Sequence, residues 1–439
     1  MIGGRLATWG ARCQSPGMMS FAPRGPLRGT ARVPGDKSIS HRALILAALA
    51  VGRSRIEGLS DGGDVQATIA ALQAMGARIA QGADGAWEID GVGSGGLLQP
   101  ETPFSLGNSG TSARLLMGLV ASHRISATFT GDASLSRRPM ARVADPLRRI
   151  GARIDGDRLP LTVEGACPAP PVHHRLEIPS AQVKSALLLA ALNAPGTSEV
   201  IESVPTRDHL ERLLRLFGAE IEIDGARIAL RGEAELRPQR IAIPGDASAA
   251  AFLAVAALVV PGSEIRIEGV GVNPGRTGIY EVLAEMGGDI VFENRRDAGG
   301  EPVADLVVRH SALEAVEVPP QIAPRMIDEY PILAVAAAFA AGTTRMRGLA
   351  ELRLKESDRM AAMAPLGALA EDDDLLVTGS GGEPIAGGFT IDPRLDHRVA
   401  MAFAVAGLHA RLPVGIADMS PIATSFPGFC ATLDGLAGA

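Results

Sequence analysis

The sequence predicts an α/β protein of two similar globular domains, each made of three repeated helix–helix–strand units, six in all. Internal repeats lead to this fold class. The segment VPGDKSISHRALILAALA, which begins at Val33, recurs almost half a chain later as IPGDASAAAFLAVAALVV, which begins at Ile243. Two kinds of helix also alternate along the chain, one apolar on all sides and one amphipathic. We expect the functional site in the cleft between the two domains.

The first kind of helix is rich in Ala and Leu and apolar around its whole circumference. Such a helix is typically buried on every side. These helices are predicted to begin near Lys37, Asn108, Ser180, Asp246, Asp328 and Asp396. Because the steps between these starts are of similar length, each helix opens one unit.

The second kind of helix is amphipathic and ends in glycine, as in LQAMGARI, LRRIGARI, LRLFGAEI and LAEMGGDI. Glycine suits this place because it readily adopts the left-handed conformation that ends many helices. The glycines are Gly76, Gly151, Gly218 and Gly287. The residues that follow alternate between apolar and polar around turn residues, as in AEIEIDGARIALRG, which predicts a β-hairpin. The pattern is degenerate in the fifth unit, and the C-terminus cuts off the sixth.

The PGD sequences at Pro34 and Pro244 begin the two halves, and we expect the chain to cross between domains there. One domain is then continuous, residues 35–244, and the other is discontinuous, residues 21–34 plus 245–439. Residues 1–20 contain no acid and no apolar core of signal-peptide length, so we expect a disordered tail. An organelle-targeting segment, or a true start at Met18 or Met19, are the alternatives. The alternative to two domains is one continuous domain with chance internal similarity.

Composition excludes several classes of function. With 42 Lys and Arg against 49 Asp and Glu, the net charge is −7, which disfavours a chain-wide surface for nucleic acid or anionic lipid. The longest wholly apolar stretch, Ala249 to Val260, is too short to span a bilayer. Three scattered cysteines form neither a disulfide framework nor a zinc site. We expect a cytoplasmic, monomeric protein that binds neither nucleic acid nor membrane.

Polar residues crowd the first turn of the predicted buried helices, in GDKSISHR, GNSGTSAR, SAQVKS, PGDASAA, IDEYP and LDHR. Helix N-termini attract anions because their N–H groups are unpaired and carry partial positive charge. The cations in or beside these motifs are Lys37, Arg42, Arg138, Arg207, Lys355, Arg359 and Arg398. Such a set predicts substrates that carry phosphate and carboxylate groups.

Each of these residues also has an ordinary structural explanation. Ser38 and Ser180 are alternatively N-caps, and Lys355 and Arg359 alternatively form a solvated salt-bridge face. The functional interpretation is favoured because the unusual residues recur at one position in each unit. No His, Cys or carboxylate spacing predicts a metal site, and we expect no metal and no other cofactor. The spacings of a phosphate-binding loop, a nucleophile elbow and a dinucleotide-binding turn are also absent from the sequence.

Together, PGDKSISHRA, GNSGTSARLL, SLSRRPM, SAQVKSALLLAAL, TRDHLE, IDEYPILAVAAAFA, LKESDR, LDHRVAM and ATSFPGF resemble the motifs of the enolpyruvylshikimate-phosphate synthase family. The resemblance extends from about Gly29 to Phe429. It implies a two-domain fold of six units with the active site between the domains. It also implies that the enolpyruvyl group of phosphoenolpyruvate is transferred to the 5-hydroxyl of shikimate 3-phosphate and phosphate is released. This is a step of the shikimate pathway to chorismate and the aromatic amino acids.

The resemblance also implies roles for single residues. Asp328 would be the base near the 5-hydroxyl, Glu356 would move the proton at C3 of phosphoenolpyruvate, and Lys37 would assist as an acid. The residues implied to bind shikimate 3-phosphate are Lys37, Ser38, Arg42, Ser180, Ala181, Gln182, Arg207, Asp328 and Lys355. Those implied to bind phosphoenolpyruvate are Lys37, Gly110, Arg138, Gln182, Arg359 and Arg398.

The last motif departs from part of the family. Members with Lys in this motif use it near phosphoenolpyruvate, whereas ATSFP places Thr424 there, and we assign Thr424 no role. Two other functions stay open. One is the sister reaction on a UDP-sugar, whose family carries a cysteine in the loop that is Ala133 to Met140 here, where none occurs. The other is a catalytically inactive anion-sensing or scaffold module.

The resemblance further implies inhibition by glyphosate, which occupies the family's phosphoenolpyruvate site. Gly110 lies at a predicted helix N-terminus, where the missing side chain lets an anion approach backbone N–H groups closely. A methyl group there would intrude on the longer inhibitor more than on the substrate. The alternative is that Gly110 only satisfies a backbone angle.

Overall fold

A computed structural model describes residues 17–438. Its α-helices are α1 (Lys37–Leu49), α2 (Gly63–Ala74), α3 (Gly110–Ala121), α4 (Ala133–Arg137), α5 (Ala141–Arg149), α6 (Ala181–Ala191), α7 (His209–Leu216), α8 (Ala247–Val259), α9 (Gly278–Glu285), α10 (Ala323–Met326), α11 (Tyr330–Phe339), α12 (Arg359–Ala362), α13 (His397–Gly407) and α14 (Phe429–Leu436).

The strands in the described residues are β1 (Met19–Phe21), β2 (Arg28–Arg32), β3 (Val51–Glu57), β4 (Arg78–Gln81), β5 (Trp87–Val92), β6 (Phe104–Ser105), β7 (Ser126–Thr130), β8 (Arg153–Ile154), β9 (Leu161–Glu164), β10 (His173–Leu176), β11 (Thr197–Glu202), β12 (Ile221–Asp224), β13 (Arg227–Arg231), β14 (Arg240–Ala242), β15 (Glu264–Gly271), β16 (Asp289–Ala298), β17 (Glu301–Arg309), β18 (Glu317–Val318), β19 (Thr343–Met346), β20 (Leu369–Glu371), β21 (Asp374–Thr378), β22 (Thr390–Ile391) and β23 (Val414–Ile416).

The predicted buried helices are α1, α3, α6, α8, α11 and α13, and each begins within two residues of its expected start. Their first turns are capped as the sequence suggests. Asp36 accepts a hydrogen bond from the backbone of α1, and Ser109 and Asp396 do the same for α3 and α13. Every residue of α8 is buried, which agrees with its lack of a polar face.

The units share one sheet topology. In the second unit the strand order is β6-β7-β9-β8, in which β6 and β7 are parallel and the other pairs antiparallel. The third and fifth units repeat it as β10-β11-β13-β12 and β18-β19-β21-β20. The predicted hairpins are therefore confirmed. The glycines that end the outer helices, Gly76, Gly151, Gly218 and Gly287, have φ values of 99°, 96°, 88° and 90° and are left-handed as predicted.

The first and fourth units exchange their first strands. Strand β2 precedes α1 in sequence but pairs with β15 of the fourth unit, and β14 precedes α8 but pairs with β3 of the first. The two PGD segments lie side by side between these strands and helices. The Asp36 N–H donates to the Pro244 carbonyl and the Asp246 N–H to the Pro34 carbonyl, both at 2.8 Å. The chain therefore crosses between the halves at both PGD sequences.

The buried apolar residues of the described chain form two separate hydrophobic cores. One core draws its buried residues from positions 39–243, and the other from positions 19–31 and 247–436. The predicted α/β fold of two similar domains is confirmed, and the single continuous domain is wrong. The predicted boundaries at residues 34/35 and 244/245 fall in the two gaps between these cores. No helix within residues 17–438 combines the length and apolarity needed to cross a bilayer.

Residues 1–16 of the predicted disordered tail, residues 1–20, lie outside the described residues. Beyond that point the prediction is wrong for Met19 and Ser20. They belong to β1, which pairs antiparallel with β23, with Met19 opposite Ile416 and Ser20 opposite Gly415. Pairing with β23, the central strand of the sheet β1-β23-β22, thus orders this short segment, which has no strong strand pattern of its own.

Candidate active site

Asp328 lies at the centre of the predicted site, where the two domains meet. Its Oδ2 accepts from Nη2 of Arg207 at 2.8 Å, and its Oδ1 lies 3.3 Å from Nη1 of Arg359 and 3.4 Å from Nζ of Lys355. Its backbone carbonyl accepts from Nε of Arg398 at 3.0 Å. Burial alone would raise the pKa of Asp328, but these four cations hold it well below the usual range. Asp328 is therefore an ionised carboxylate.

Glu356 is the second carboxylate of the site. Its Oε2 accepts from Nη2 of Arg359 at 2.6 Å, and its Oε1 lies 3.4 Å from Nη1 of Arg138. Its backbone carbonyl accepts from the Ser134 hydroxyl at 2.9 Å. Burial would raise the pKa of Glu356, but the Arg359 and Arg138 guanidinium groups outweigh it and hold the pKa well below its usual range. Because Arg138 and Ser134 belong to the continuous domain, Glu356 also joins the two domains.

Arg359 connects the two carboxylates and is almost completely buried. Its guanidinium contacts Asp328, Glu356 and Asp396, and the shortest contact to Asp396 is 2.8 Å, from Nε to Oδ2. Its side chain is 1% exposed, so the solvated salt-bridge face is wrong for Arg359. Asp396 is a site residue that we did not predict, although its place before the HR of LDHR marked it as a helix start.

Lys37 and Arg42 project from the first turns of α1. The Lys37 ammonium pairs with Oδ2 of Asp64 at 2.9 Å, and Asp64 is a further residue that we did not predict. The Arg42 guanidinium donates to the Ser185 hydroxyl at 2.9 and 3.1 Å and to the Ser38 carbonyl at 2.9 Å. Burial lowers the pKa of Arg42 to about 10, which still leaves it charged at neutral pH. Arg42 thereby connects α1 to α6.

Ser180, Ala181 and Gln182 form the start of α6. The Ser180 hydroxyl accepts from the Val183 N–H at 3.3 Å, so Ser180 is an N-cap as the ordinary explanation proposed. Ser38 is not an N-cap, because Asp36 accepts the capping hydrogen bond of α1. The Gln182 amide donates from Nε2 to the Thr111 hydroxyl at 2.9 Å, which brings the first turns of α6 and α3 together.

Arg114 is another residue of the site that sequence reasoning missed. Its Nη1 donates to Oε1 of Gln182 and to the carbonyl of Gly110, both at 3.1 Å. Burial, together with the nearby charge of Arg138, lowers the pKa of Arg114 to about 10. Arg114 lies one helical turn after Gly110 in the motif GNSGTSAR, so its spacing offered a signal.

Gly110 is the first residue of α3 and faces two guanidinium groups. A Cβ atom at this position would lie 2.7 Å from Nη1 of Arg114 and 2.9 Å from Nη1 of Arg138. Its φ angle is not among the positive values of this chain, so the backbone conformation does not require glycine. The alternative that Gly110 only satisfies a backbone angle is therefore wrong. The missing side chain leaves room for the ends of Arg114 and Arg138.

Thr424 supplies no charge to the site. Its hydroxyl donates to the carbonyl of Pro421 in its own turn at 2.7 Å. Its carbonyl lies against Gly62, where a Cβ atom would come within 2.4 Å of it. Gly62 precedes α2, the helix that carries Asp64. Within residues 17–438, no group of three His, Cys, Asp or Glu side chains is placed to hold a metal ion.

Comparison with known proteins identifies the family of the chain. The model of the family EPSP synthase (3-phosphoshikimate 1-carboxyvinyltransferase) matches residues 21–433. The chain belongs to the EPSP synthase family. It is 58% identical to the 3-phosphoshikimate 1-carboxyvinyltransferase of Sphingopyxis alaskensis, over 95% of this chain and 98% of that protein. It is 56% identical to the enzyme of that name from Novosphingobium aromaticivorans, over 94% of this chain and 98% of that one.

Solved structures support membership of the EPSP synthase family. The EPSP synthase of Acinetobacter baumannii superposes with a TM-score of 0.84 at 42% identity, over 95% of this chain and 98% of that one. The enolpyruvyl transferase NikO of Streptomyces tendae superposes with a TM-score of 0.78 at 18% identity, which shows the fold alone. The predicted family, fold class and transferase activity are confirmed, and the sister family and the inactive scaffold are disfavoured.

Proposed function

We propose that this protein transfers the enolpyruvyl group of phosphoenolpyruvate to the 5-hydroxyl of shikimate 3-phosphate and releases phosphate, as a step of the shikimate pathway. The observation that carries the assignment to this site is the pair of ionised carboxylates, Asp328 and Glu356, joined by Arg359 where the domains meet. We further propose that the protein works as a cytoplasmic monomer and needs neither metal nor organic cofactor.

The reaction has two steps, and each needs the charged groups that this site contains. The 5-hydroxyl oxygen adds to C2 of phosphoenolpyruvate, its proton passes to a base, and C3 gains a proton to become a methyl group. The tetrahedral adduct then loses a proton from that methyl group as the bond to the phosphate oxygen breaks, which leaves an enol ether. The enzyme must therefore supply a base, an acid and cations for several anionic groups.

Shikimate 3-phosphate is proposed to bind across α1, α6 and the residues around Asp328. Its proposed ligands are Lys37, Ser38, Arg42, Ser180, Ala181, Gln182, Arg207, Asp328 and Lys355. The contact of Arg42 with Ser185 and that of Arg207 with Asp328 support this set, because they place one cation at α6 and one at Asp328. The two cations are also near enough for the charge of Arg207 to add to burial in lowering the pKa of Arg42. Phosphate groups bind well to such clusters of charged donors and helix N-termini.

Phosphoenolpyruvate is proposed to bind beside Glu356. Its proposed ligands are Lys37, Gly110, Arg138, Gln182, Arg359 and Arg398. Arg138 and Arg359 support this assignment, because each contacts a different oxygen of Glu356. Planar guanidinium groups suit both the carboxylate and the phosphate of this substrate.

Asp328 is proposed as the base that receives the proton of the 5-hydroxyl. Surrounded by cations, its carboxylate is ionised but weakly basic. The anionic groups of shikimate 3-phosphate would take up the charge of Arg207 and Lys355, and the pKa of Asp328 would rise toward its usual value. Substrate binding would thereby increase the basicity of Asp328 before proton transfer.

Glu356 is proposed to move the proton at C3, with Lys37 assisting as an acid. A carboxylate that donates a proton must first hold one, whereas Arg138 and Arg359 keep Glu356 ionised. When the anionic groups of phosphoenolpyruvate engage these two guanidinium groups, the pKa of Glu356 rises. If Glu356 has this role, one limb of the wild-type pH–rate profile is due to its titration, and Glu356→Gln should remove that limb. A Glu356→Gln profile that still shows the limb would contradict the assignment.

The reaction is tested by phosphate release from phosphoenolpyruvate with and without shikimate 3-phosphate. We expect release only when both substrates are present, and no release would overturn the proposed function. We also propose that glyphosate inhibits the protein in competition with phosphoenolpyruvate, because Gly110 places no side chain against Arg114 and Arg138, the guanidinium groups beside this site. Inhibition that is independent of the phosphoenolpyruvate concentration would oppose this second proposal.

A further inference from the structure

A cationic cavity opens beside the proposed phosphoenolpyruvate site. It has a volume of about 440 Å³ and is lined by both domains. Its basic lining residues are Arg137, Arg138, Arg158, Arg353, Lys355 and Arg394. Among the residues that the structure describes, its acidic lining residues are only Glu356 and Asp358. Because the whole chain has a net charge of −7, this excess of cations is a local feature.

Three of these arginines have no carboxylate partner in the described part of the chain. Within residues 17–438, the guanidinium groups of Arg137 and Arg394 form neither an ion pair nor a hydrogen bond, and that of Arg158 donates only to the Arg137 carbonyl. Many exposed arginines elsewhere are paired, for example Arg53, whose Nε lies 2.7 Å from Asp90. The charges around the cavity are therefore available to a mobile anion.

The backbone that carries Arg394 is unusual. Arg394 and Leu395 have φ values of 50° and 64°, in the left-handed region that residues other than glycine seldom adopt. The Arg394 N–H donates to Oδ1 of Asp392 at 2.8 Å, which holds this turn directly before α13. Such conformations cost free energy and cluster at functional sites. The turn therefore fixes the backbone position from which the Arg394 side chain extends at the cavity.

We propose that Arg137, Arg158 and Arg394, termed here the outer arginines, bind a phosphate-bearing anion on its way between solvent and the proposed phosphoenolpyruvate site. The proposal rests on the proposed function. The anion is phosphoenolpyruvate as it arrives or inorganic phosphate as it leaves. Clefts lined by one sign of charge raise the local concentration and association rate of oppositely charged ligands. The outer arginines are exposed, so they assist capture and release and leave the chemical step to the buried network.

The test compares two double variants with the same loss of charge. Arg137→Gln with Arg394→Gln removes one outer arginine from each domain. Arg124→Gln with Arg411→Gln is the matched control, because these exposed arginines follow the C-terminal ends of α3 and α13, away from the cavity. For both variants, kcat and kcat/KM for phosphoenolpyruvate are measured at saturating shikimate 3-phosphate, in low and high salt, together with inhibition by inorganic phosphate.

We expect the first variant to keep its kcat and to lose kcat/KM by about three- to tenfold in low salt. The loss should nearly vanish in high salt, because exposed charges are screened. A change in kcat/KM identifies phosphoenolpyruvate as the bound anion, and weaker inhibition by inorganic phosphate identifies the leaving phosphate. The proposal is overturned if the variant matches the control in both measurements, or if its loss persists in high salt. A wild-type protein that releases no phosphate would instead overturn the proposed function, and binding of inorganic phosphate to both variants then tests the outer arginines alone.

Discussion

The substitution Gly110→Ala tests whether the space at the start of α3 decides between substrate and inhibitor. The added methyl group would meet Nη1 of Arg114 at 2.7 Å and Nη1 of Arg138 at 2.9 Å. To reach an ordinary contact of 3.4 Å, the first guanidinium must retreat by about 0.7 Å and the second by about 0.5 Å. Both are ends of flexible side chains, so we expect the protein to fold and the guanidinium groups to move.

The expected effect is larger for glyphosate than for phosphoenolpyruvate. Both ligands are proposed to use Arg138, but the guanidinium groups that the methyl group displaces would intrude more on the longer molecule than on the shorter one. We expect the inhibition constant to rise at least about tenfold, which corresponds to about 1.4 kcal/mol. The KM for phosphoenolpyruvate should rise only about threefold, or roughly 0.6 kcal/mol.

Inhibition curves for both proteins at matched phosphoenolpyruvate concentrations measure these constants. Gly435→Ala is the control, because a Cβ atom on Gly435 in α14 would have no neighbour within 4 Å. It should change neither constant. Equal sensitivity of the Gly110→Ala variant and the wild type, or an insensitive wild type, refutes the reasoning. A variant that loses stability and activity alike would show that Gly110 serves the fold.

Substitutions at three other residues test the site and the crossing between the domains at the PGD segments. Asp328→Asn should lower kcat by about a hundredfold or more, as for loss of a general base, while calorimetry shows shikimate 3-phosphate still bound; near-normal turnover would show that Asp328 is only a ligand. Arg276 is the buried cation that pairs with Asp246, 2.9 Å from its Nη2, and with Asp36. Arg276→Met leaves both carboxylates without this cation and should lower the free energy of unfolding in urea by about 3–5 kcal/mol. Arg276→Lys should lower it less, and an unchanged free energy of unfolding in both variants would contradict the ion pairs. Burial and neighbouring cations hold the pKa of His41 well below 6.5, so only the unfolded chain gains this proton as the pH falls below 6.5. The contribution of His41 to the free energy of unfolding should therefore keep its full value above about pH 6.5 and decrease below that pH. His41→Gln should remove up to about 1.4 kcal/mol per pH unit from the slope of the free energy of unfolding against pH. An unchanged slope would mean that His41 titrates in the folded protein.

Local patterns predicted the helices and hairpins because their causes are local. An apolar circumference and a capping residue lie within a few positions of each other, as they do in α3 and α13, and each final glycine closely follows the outer helix that it ends. The crossings predicted at the two PGD sequences place β2 in the discontinuous domain and β14 in the continuous one. The sequence does not show which strand each of them joins, because the partners β15 and β3 lie far away along the chain. The strand β1 was missed for the same reason, because its partner β23 lies at the other end of the chain.

The predicted site residues are those within motifs, and the missed residues are mostly their partners. Asp64 stands at the start of an outer helix, and nothing around it in the sequence indicates the ion pair with Lys37. Ser185 resembles any small residue of a buried helix, although it accepts two hydrogen bonds from Arg42. Such partners are determined by packing between helices distant in sequence, which the sequence pattern does not encode.

The pairing of these charges changes what the list of cations implies about the site. When the cations are only counted along the sequence, they suggest a cleft with an excess of positive charge. In the structure, Arg207 and Arg359 are bound to Asp328, and Arg138 contacts Glu356. On the proposed function, a substrate anion must therefore replace a carboxylate in each of these pairs. The same exchange that binds the substrates would release the two carboxylates and raise their pKa values, so binding and the readiness for proton transfer are coupled.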